Sequence, residues 1–285
     1  MVKNTVIRSL INQPVLIQFP NCKINLGLTV LEKRADGFHN IASVFYPIPL
    51  HDVLELVPAT DGTTRLFNYG LAVNGPETDN LCFKAYQLIK AKYPQTPAVH
   101  IHLYKNIPMG AGLGGGSANG AFMLMALNKK FNLNIAEADL LNMALALGSD
   151  CPFFIKNQPV LASGRGEILS PVHVDLSAYH FLIVNPGIHI NTGWAFAQLQ
   201  PQKPSLNIAD LIEEPVAHWK DRLVNDFEAA VFKQHPVIAQ LKELLYSKGA
   251  VYAAMTGSGS TVFGLFTSPV KPSLDLPAAY KTFFL

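Results

Sequence analysis

The sequence predicts an α+β protein made of two halves that change over near residues 155–165. Three observations carry this expectation. The first hundred residues read mostly as strands, a glycine-dense loop then joins a strand to a helix, and beyond "SDCPFF" a second mixture of strands and helices ends in a strand–loop–strand unit. Strands and helices grouped in separate runs, rather than in regular alternation, mark the α+β class. With 285 residues and 49% hydrophobic content the chain can bury a full core, and the expected domains are 1–160 and 161–285.

In the first half, "VLIQF", "KINLGLTVL", "NIASVFYPI", "DVLELV" and "TRLFN" have strand composition, and Asp36-Gly37 signals a hairpin between the second and third. "KINLGLTV" alternates: Ile24, Leu26, Leu28 and Val30 face one way, and Lys23, Asn25, Gly27 and Thr29 the other. Taken alone, that second face is an ordinary solvated one. "TDNLCFKAYQLIKAKY" reads as a helix capped by Thr78 or Asp79, with Leu81, Ala85, Leu88 and Ile89 on one face. "AVHIHLY" is again a period-two strand, and its His100 and His102 have no third ligand in view, which favours a solvated or satisfied pair over a metal site. Ser117 is the expected cap of a helix through Phe122, Met123, Leu124, Met125 and Leu127, and Gly148 the stop of the next one.

In the second half, "YHFLIVNPG" is a strand ending in a turn, "NTGWAFAQL" a short helix, and Lys203 to Trp219 a polar, proline-containing surface stretch. Arg222 to Lys233 and Pro236 to Lys248 are two helices, the second opened by Pro236 and closed by Gly249. "VYAAM", "TGSGS" and "TVFGLF" complete the chain as strand, loop and strand.

Charged residues make up 15%, and the net charge is +2, a balance that points away from nucleic acid and membrane surfaces and toward a small-molecule ligand. Cys22, Cys82 and Cys151 are odd in number, far apart and without metal-type spacing, so the expected compartment is the reducing cytoplasm. The N-terminal stretch has no continuous apolar run or small-residue cleavage site of the secretory kind, and no run is long enough to span a bilayer.

The chemistry is expected at "PMGAGLGGGSANGA", which holds six glycines in fourteen residues. Strand, glycine loop and helix start in that order present free N–H groups and a helix dipole to an anion, and phosphate is the first candidate. The P-loop pattern fails because Gly116 is followed by Ser117 with no lysine. Gly110, Gly112 and Gly115 fit G-x-G-x-x-G, but the acidic second strand of a dinucleotide fold is replaced by helices. Asp150, in "LGSDCPFF", reads either as the cap of a new turn or as a carboxylate held near the phosphate loop to deprotonate an attacking hydroxyl. Gly257 and Gly259 flank Ser258 in a third glycine loop that suits a hairpin turn or a ligand contact equally, while "ASGRGEIL" reads as a turn.

Together these stretches resemble the GHMP kinase superfamily, with "PMGAGLGGGSANGA" similar to its phosphate loop and "MTGSGSTVFGLF" to its C-terminal glycine motif. "KINLGLTVLEKRADGFHNIASVF", "TDNL", "LGSDCPFF", "SGRGEIL" and "NDFE" occur in the order of that branch whose acceptor is cytidine diphosphate methylerythritol. The resemblance implies an N-terminal domain similar to domain 2 of ribosomal protein S5 and a ferredoxin-like C-terminal domain, with ATP and Mg²⁺ as cofactors and a monomer or homodimer as the working form. It implies Asp150 as catalytic base and Lys23 as its partner. Gly110, Gly112, Gly114, Gly115, Gly116 and Ser117 would hold the phosphates, with Ser117 also the protein ligand of Mg²⁺, and Asn80 would lie on the adenosine side. Asn25 and His39 match substrate-contacting positions, and Phe38 and Phe196 would stack on the two faces of the cytosine. The chain departs from the usual Pro-Ala-Lys at Pro20-Asn21-Cys22-Lys23, where Cys22 is expected to face the core, and it has Phe38 where tyrosine is common. The residues before Pro14 match nothing in the family and read as a disordered or packed extension.

Overall fold

The computed structural model describes residues 15–199 and 206–285; the N-terminal extension and the beginning of the Lys203–Trp219 stretch lie outside them. The chain starts with β1 (Leu16–Gln18), β2 (Asn21–Lys33), β3 (His39–His51), β4 (Val53–Pro58) and β5 (Arg65–Gly70). Next come α1 (Leu81–Lys92), β6 (Val99–Lys105), α2 (Gly115–Phe131), α3 (Glu137–Leu147) and α4 (Cys151–Lys156). Then follow β7 (Val160–Ser163), β8 (Ile168–Pro171), β9 (His180–Asn185), α5 (Thr192–Ala197), α6 (Ile208–Ile212), α7 (Phe227–Gln234), α8 (Pro236–Ser247), β10 (Tyr252–Met255), β11 (Val262–Phe266) and β12 (Lys281–Phe284). Two compact units result, and neither is one continuous segment. The first takes the residues up to Cys22, His51–Ile107 and Gly115–Lys156, the second Lys23–Leu50, Pro108–Gly114 and Asn157–Leu285.

In the first unit a four-stranded sheet runs β1-β4-β6-β5, antiparallel except for the parallel β5–β6 pair. Period-two alternation buries Leu54, Leu56, Val99, Ile101 and Leu103 and turns Glu55, His102 and Tyr104 to the other face. There His102 stacks on Phe67 at 4.9 Å and its Nδ1 lies 3.1 Å from the Tyr69 hydroxyl. The expected cap of α1 is corrected. A 3₁₀ turn, Glu77–Asp79, takes up the positions read as caps, and Asn80 accepts the Cys82 N–H at 2.9 Å. Helix α2 packs on α1 through Gly120, where a Cβ would lie 3.0 Å from that of Leu81.

In the second unit the sheet β2-β3-β7-β8 carries the hairpin at Asp36-Gly37, and β7 and β8 flank the turn expected in "ASGRGEIL". The other sheet, β10-β11-β9-β12, is antiparallel throughout. Its core joins Leu182, Val184, Met255 and Val262 to Phe227 and Val231 of α7 and to Ile238, Leu241 and Leu245 of α8.

Two expectations fail here for physical reasons. The helix expected from Arg222 begins only at Phe227, because Leu28 donates to Val224 O and accepts from Asp226 N, drawing that segment alongside β2. The stretch read as polar surface buries Ile208, Leu211, Ile212, Val216 and Trp219, whose spacing is that of one helix face. Cys22 faces the core as expected, and all three cysteines are buried and outside any disulfide.

Candidate active site

In the first unit the site residues gather around the start of α2. Gly114, at φ +67°, is the last left-handed residue of the loop, and the helix begins directly at Gly115. Ser117 therefore lies inside the first turn rather than at the cap, which corrects the sequence expectation. Its hydroxyl bonds instead to the Cys151 sulfur, a contact that opposes burial, which pushes that thiol up to about 12. The first-turn N–H groups of Gly115, Gly116 and Ser117 have no partner within a helix, and they point where the helix dipole favours an anion. A Cβ at Gly116 would meet nothing within 4 Å, so open space adjoins those groups. Asp150 occupies the position just before α4, and Cys151 N–H, one residue on, donates to Gly148 O at 3.1 Å. The Ser117–Cys151 bond thus sets Asp150 one residue from a partner of the glycine-loop helix. Asn80, the α1 cap, belongs to the same unit.

In the second unit the remaining polar residues converge on two glycine loops. Lys23 and Asn25 are 4% and 1% exposed, so the face that alternation alone left as solvated is buried. The Lys23 ammonium donates to Asn25 Oδ1 at 2.6 Å and lies 4.5 Å from the Phe45 ring centroid, while Lys23 N–H donates to Leu113 O at 3.0 Å. Asn25 donates from its side chain to Ser43 Oγ at 2.8 Å and from its backbone to Thr256 Oγ1 at 3.0 Å. That hydroxyl also lies 3.1 Å from Gly112 O, so one threonine ties Asn25 to the first loop. The loops touch backbone to backbone: a Cβ at Gly112 would fall 1.9 Å from Thr256 O, and one at Gly259 would fall 2.2 Å from Ala111 C. Gly257 packs against Gly112 in the same way, and Ser258 Oγ lies 3.0 Å from Thr192 Oγ1. Gly110 is the loosest member, with only the His189 ring near it.

The three aromatic positions also fall in this unit. His39 lies flat on Phe196, with ring centroids 4.7 Å apart and planes 16° apart, and Phe196 meets the edge of Phe227 at 4.9 Å. Burial lowers the His39 imidazole below its ordinary range, and Lys33 adds to this. Phe38 stands apart from that stack, 49% exposed, with the Arg165 guanidinium 4.5 Å over its ring. Among the described residues no three His, Cys, Asp or Glu side chains gather to hold a metal, and no helix is long and apolar enough to cross a membrane.

The family described as GHMP kinases N terminal domain matches residues 80–158, and GHMP kinases C terminal matches residues 208–280. The 4-diphosphocytidyl-2-C-methyl-D-erythritol kinase of Bacteroides fragilis is 51% identical over 268 residues, covering 93% of this chain and 97% of the relative. The chain belongs to the 4-diphosphocytidyl-2-C-methyl-D-erythritol kinase family. A crystal structure of 4-(cytidine 5'-diphospho)-2C-methyl-D-erythritol kinase superposes with a TM-score of 0.75 at 30% identity, covering 88% of this chain and 90% of that one. Homoserine kinase from Cytophaga hutchinsonii, at 18% identity and a TM-score of 0.62 over 87% of this chain and 85% of its own, shares the fold. The expected α+β class is therefore that of the GHMP kinases.

In this family member the stretch "NDFE" gains a physical role that its letters did not disclose. Asn225 Nδ2 donates to Met255 O and Gly257 O, both at 2.9 Å, and its Oδ1 accepts the Phe227 N–H at 3.0 Å. Glu228 accepts the Met255 N–H at 2.8 Å and pairs with Lys242 at 2.7 Å. One helix start thus fixes the strand that leads into the C-terminal glycine loop. Asn225→Ala is expected to lower unfolding stability by about 2–4 kcal/mol, because two buried carbonyls and one N–H lose their partner together. Urea unfolding checks this, and a loss under about 0.5 kcal/mol would mean that water replaces all three bonds.

Proposed function

We propose that this chain moves the γ-phosphate of ATP to the 2-hydroxyl of 4-diphosphocytidyl-2-C-methyl-D-erythritol, giving the 2-phosphate and ADP, a step of the non-mevalonate route to isoprenoid precursors. The observation that carries this is the packing of α4, which Asp150 immediately precedes, against α2, the helix that begins at the glycine loop. A carboxylate held beside a phosphate-binding helix start is what phosphoryl transfer to a hydroxyl requires. In the reaction the acceptor oxygen forms its bond to the γ-phosphorus as the bond from that phosphorus to the β-bridging oxygen breaks. The hydroxyl proton passes to Asp150, and ADP leaves with the electron pair.

Lys23 acts as the partner of Asp150, its ammonium supplying positive charge to the transferring group. The N–H groups of Gly110, Gly112, Gly114, Gly115, Gly116 and Ser117 hold the phosphates, with Asn80 on the adenosine side and Gly257, Ser258 and Gly259 bracing the first loop. The hydroxyl of Ser117 is the oxygen available to a hard cation at the helix start. Mg²⁺ bound there and by phosphate oxygens would neutralise charge across the β and γ groups. The ATP-binding domain is assigned to 1–160 and the substrate-side domain to 161–285, with Lys23–Leu50 and Pro108–Gly114 folding into the second unit, and the working form is a monomer or homodimer. Three buried cysteines outside any disulfide agree with a cytoplasmic setting.

Phe38, His39 and Phe196 read the cytosine, supported by the flat ring surface that Phe196 already offers to His39. His39→Ala is expected to raise the KM for the cytidylated acceptor about tenfold, the scale of one lost hydrogen bond and ring contact, with the KM for ATP unchanged. An unchanged acceptor KM would remove His39 from base recognition. The reaction itself is tested by ADP release from Mg-ATP with diphosphocytidyl-methylerythritol, mevalonate, homoserine or galactose offered one at a time. Turnover with the first alone supports the reading; turnover with another acceptor, or with none, overturns it.

A further inference from the structure

We propose that Asp52, far from the glycine loop in sequence, is a positioning residue for ATP binding, because its buried carboxylate ties together the two stems of that loop. The proposal rests on the phosphate-binding reading above. Asp52 is the single residue between β3 and β4 and is 0% exposed. Its Oδ1 accepts the N–H groups of Asn106 at 2.7 Å and Ile107 at 2.9 Å, the residues that lead from β6 into the loop. Its Oδ2 accepts from Asn119 Nδ2 at 2.8 Å, on the helix by which the loop leaves, and from the Lys105 ammonium. Lys105 closes the triangle by donating to Asn119 Oδ1 at 3.0 Å. The main chain around Asp52 is held as well: Asp52 N–H donates to Pro20 O at 2.9 Å, and the Asn106 side chain donates from Nδ2 to His51 O at 3.3 Å.

The arrangement brings the two stems against each other. A Cβ at Gly115 would lie 2.7 Å from Ile107 Cγ2 and 3.4 Å from Lys105 Nζ, so the first helical residue rests on the incoming stem. Stability alone does not call for a charged brace here. A buried ion pair loses most of its Coulombic gain to desolvation, and a well-packed apolar cluster serves stability as well or better. What apolar packing does not provide is direction. Four donors converging on one carboxylate fix where each stem points, and with it the direction in which the loop of left-handed glycines at 110, 112 and 114 leaves and rejoins them. N–H groups bind phosphate well only when they are aimed beforehand.

The test compares Asp52→Asn, Asn119→Ala and the double variant Asp52→Leu/Lys105→Met, which removes both charges and leaves no orphan ion. Each is measured for Mg-ATP affinity by calorimetry, for melting temperature, and for the KM of both substrates. The expected result is a rise in Kd for Mg-ATP of about tenfold or more in all three, the size of one misdirected hydrogen bond or greater. The acceptor KM should stay near wild type, and the double variant, which also leaves the Asn106 and Ile107 N–H groups without their acceptor, should melt lower than wild type while its defect stays confined to Mg-ATP. Folded variants that bind Mg-ATP as tightly as wild type would overturn the proposal. So would a rise in both KM values in step with a falling melting temperature, since that describes a purely structural pair. If the wild type binds Mg-ATP but phosphorylates none of the acceptors, the proposed reaction fails while the affinity comparison still judges Asp52.

Discussion

Asp150→Asn is expected to lower kcat by about 10²- to 10⁴-fold, the usual worth of a positioned general base, while the affinity for Mg-ATP changes little. The amide has nearly the shape of the carboxylate and cannot take the acceptor proton. Asp150 stands at the head of α4, after the Gly148 turn and before Cys151, so substitution leaves the Cys151 N–H bond to Gly148 O and the Ser117–Cys151 contact in place. The first-turn N–H groups of α2 are therefore undisturbed, and the loss should fall on the chemical step. Single-turnover phosphorylation with saturating ATP separates chemistry from binding. A variant with wild-type single-turnover rate would show that the hydroxyl loses its proton to solvent or to the phosphate itself, and Asp150 would then be a cap and nothing more.

Much of the fold could be read from short-range pattern. The alternation in "KINLGLTV" and "AVHIHLY", the glycine loop running into a helix and the Pro236 and Gly249 limits of α8 all depend on neighbours within a few residues. What escaped the sequence depends on partners far along the chain. Asn25 meets Thr256 across 231 positions, and long-range contacts of this kind turn a face that reads as solvated into a buried one. Asp52 meets Lys105 across 53 positions, where nothing local distinguishes it from a turn residue. Short strands such as β7, β8 and β12 are formed by pairing rather than by propensity, so composition gives them no signal. The cap of α1 moved from Thr78 or Asp79 to Asn80 because a 3₁₀ turn intervenes, and two adjacent polar residues do not reveal which one stops it. The polar reading of Lys203–Trp219 failed because prolines and charges hid one apolar stripe, from Ile208 to Trp219. The glycines were legible as a loop that touches something. That part of what they touch is a second glycine loop was not.

Gly112→Ala is expected to have the largest effect of any single methyl added to this chain. At φ +80° an L-residue already costs about 1–2 kcal/mol. The added Cβ would also lie 1.9 Å from Thr256 O and 2.9 Å from Thr256 C, both backbone atoms that no rotamer change can move aside. Thr256 is pinned as well, since its N–H donates to Thr261 O at 3.0 Å and its hydroxyl receives the Asn25 N–H. Relief therefore requires the two loops to separate, with loss of the Thr256 contact to Gly112 O and of the packing of Gly257 and Gly259. A loss of about 3–5 kcal/mol in unfolding stability follows, together with loss of measurable Mg-ATP binding, which is the extreme of what one substitution does. Gly116→Ala provides the contrast. A Cβ there meets nothing within 4 Å and sits in a helix, so stability should hold or rise by up to about 1 kcal/mol. Yet the methyl would stand beside the first-turn N–H groups, and the KM for ATP should increase. Urea unfolding and ATP titration of the two variants distinguish glycine kept for backbone packing from glycine kept for the approach of a phosphate. Equal behaviour of the pair would mean that the loops are not interlocked, because only the interlock makes a methyl at Gly112 a matter of folding and one at Gly116 a matter of ligand.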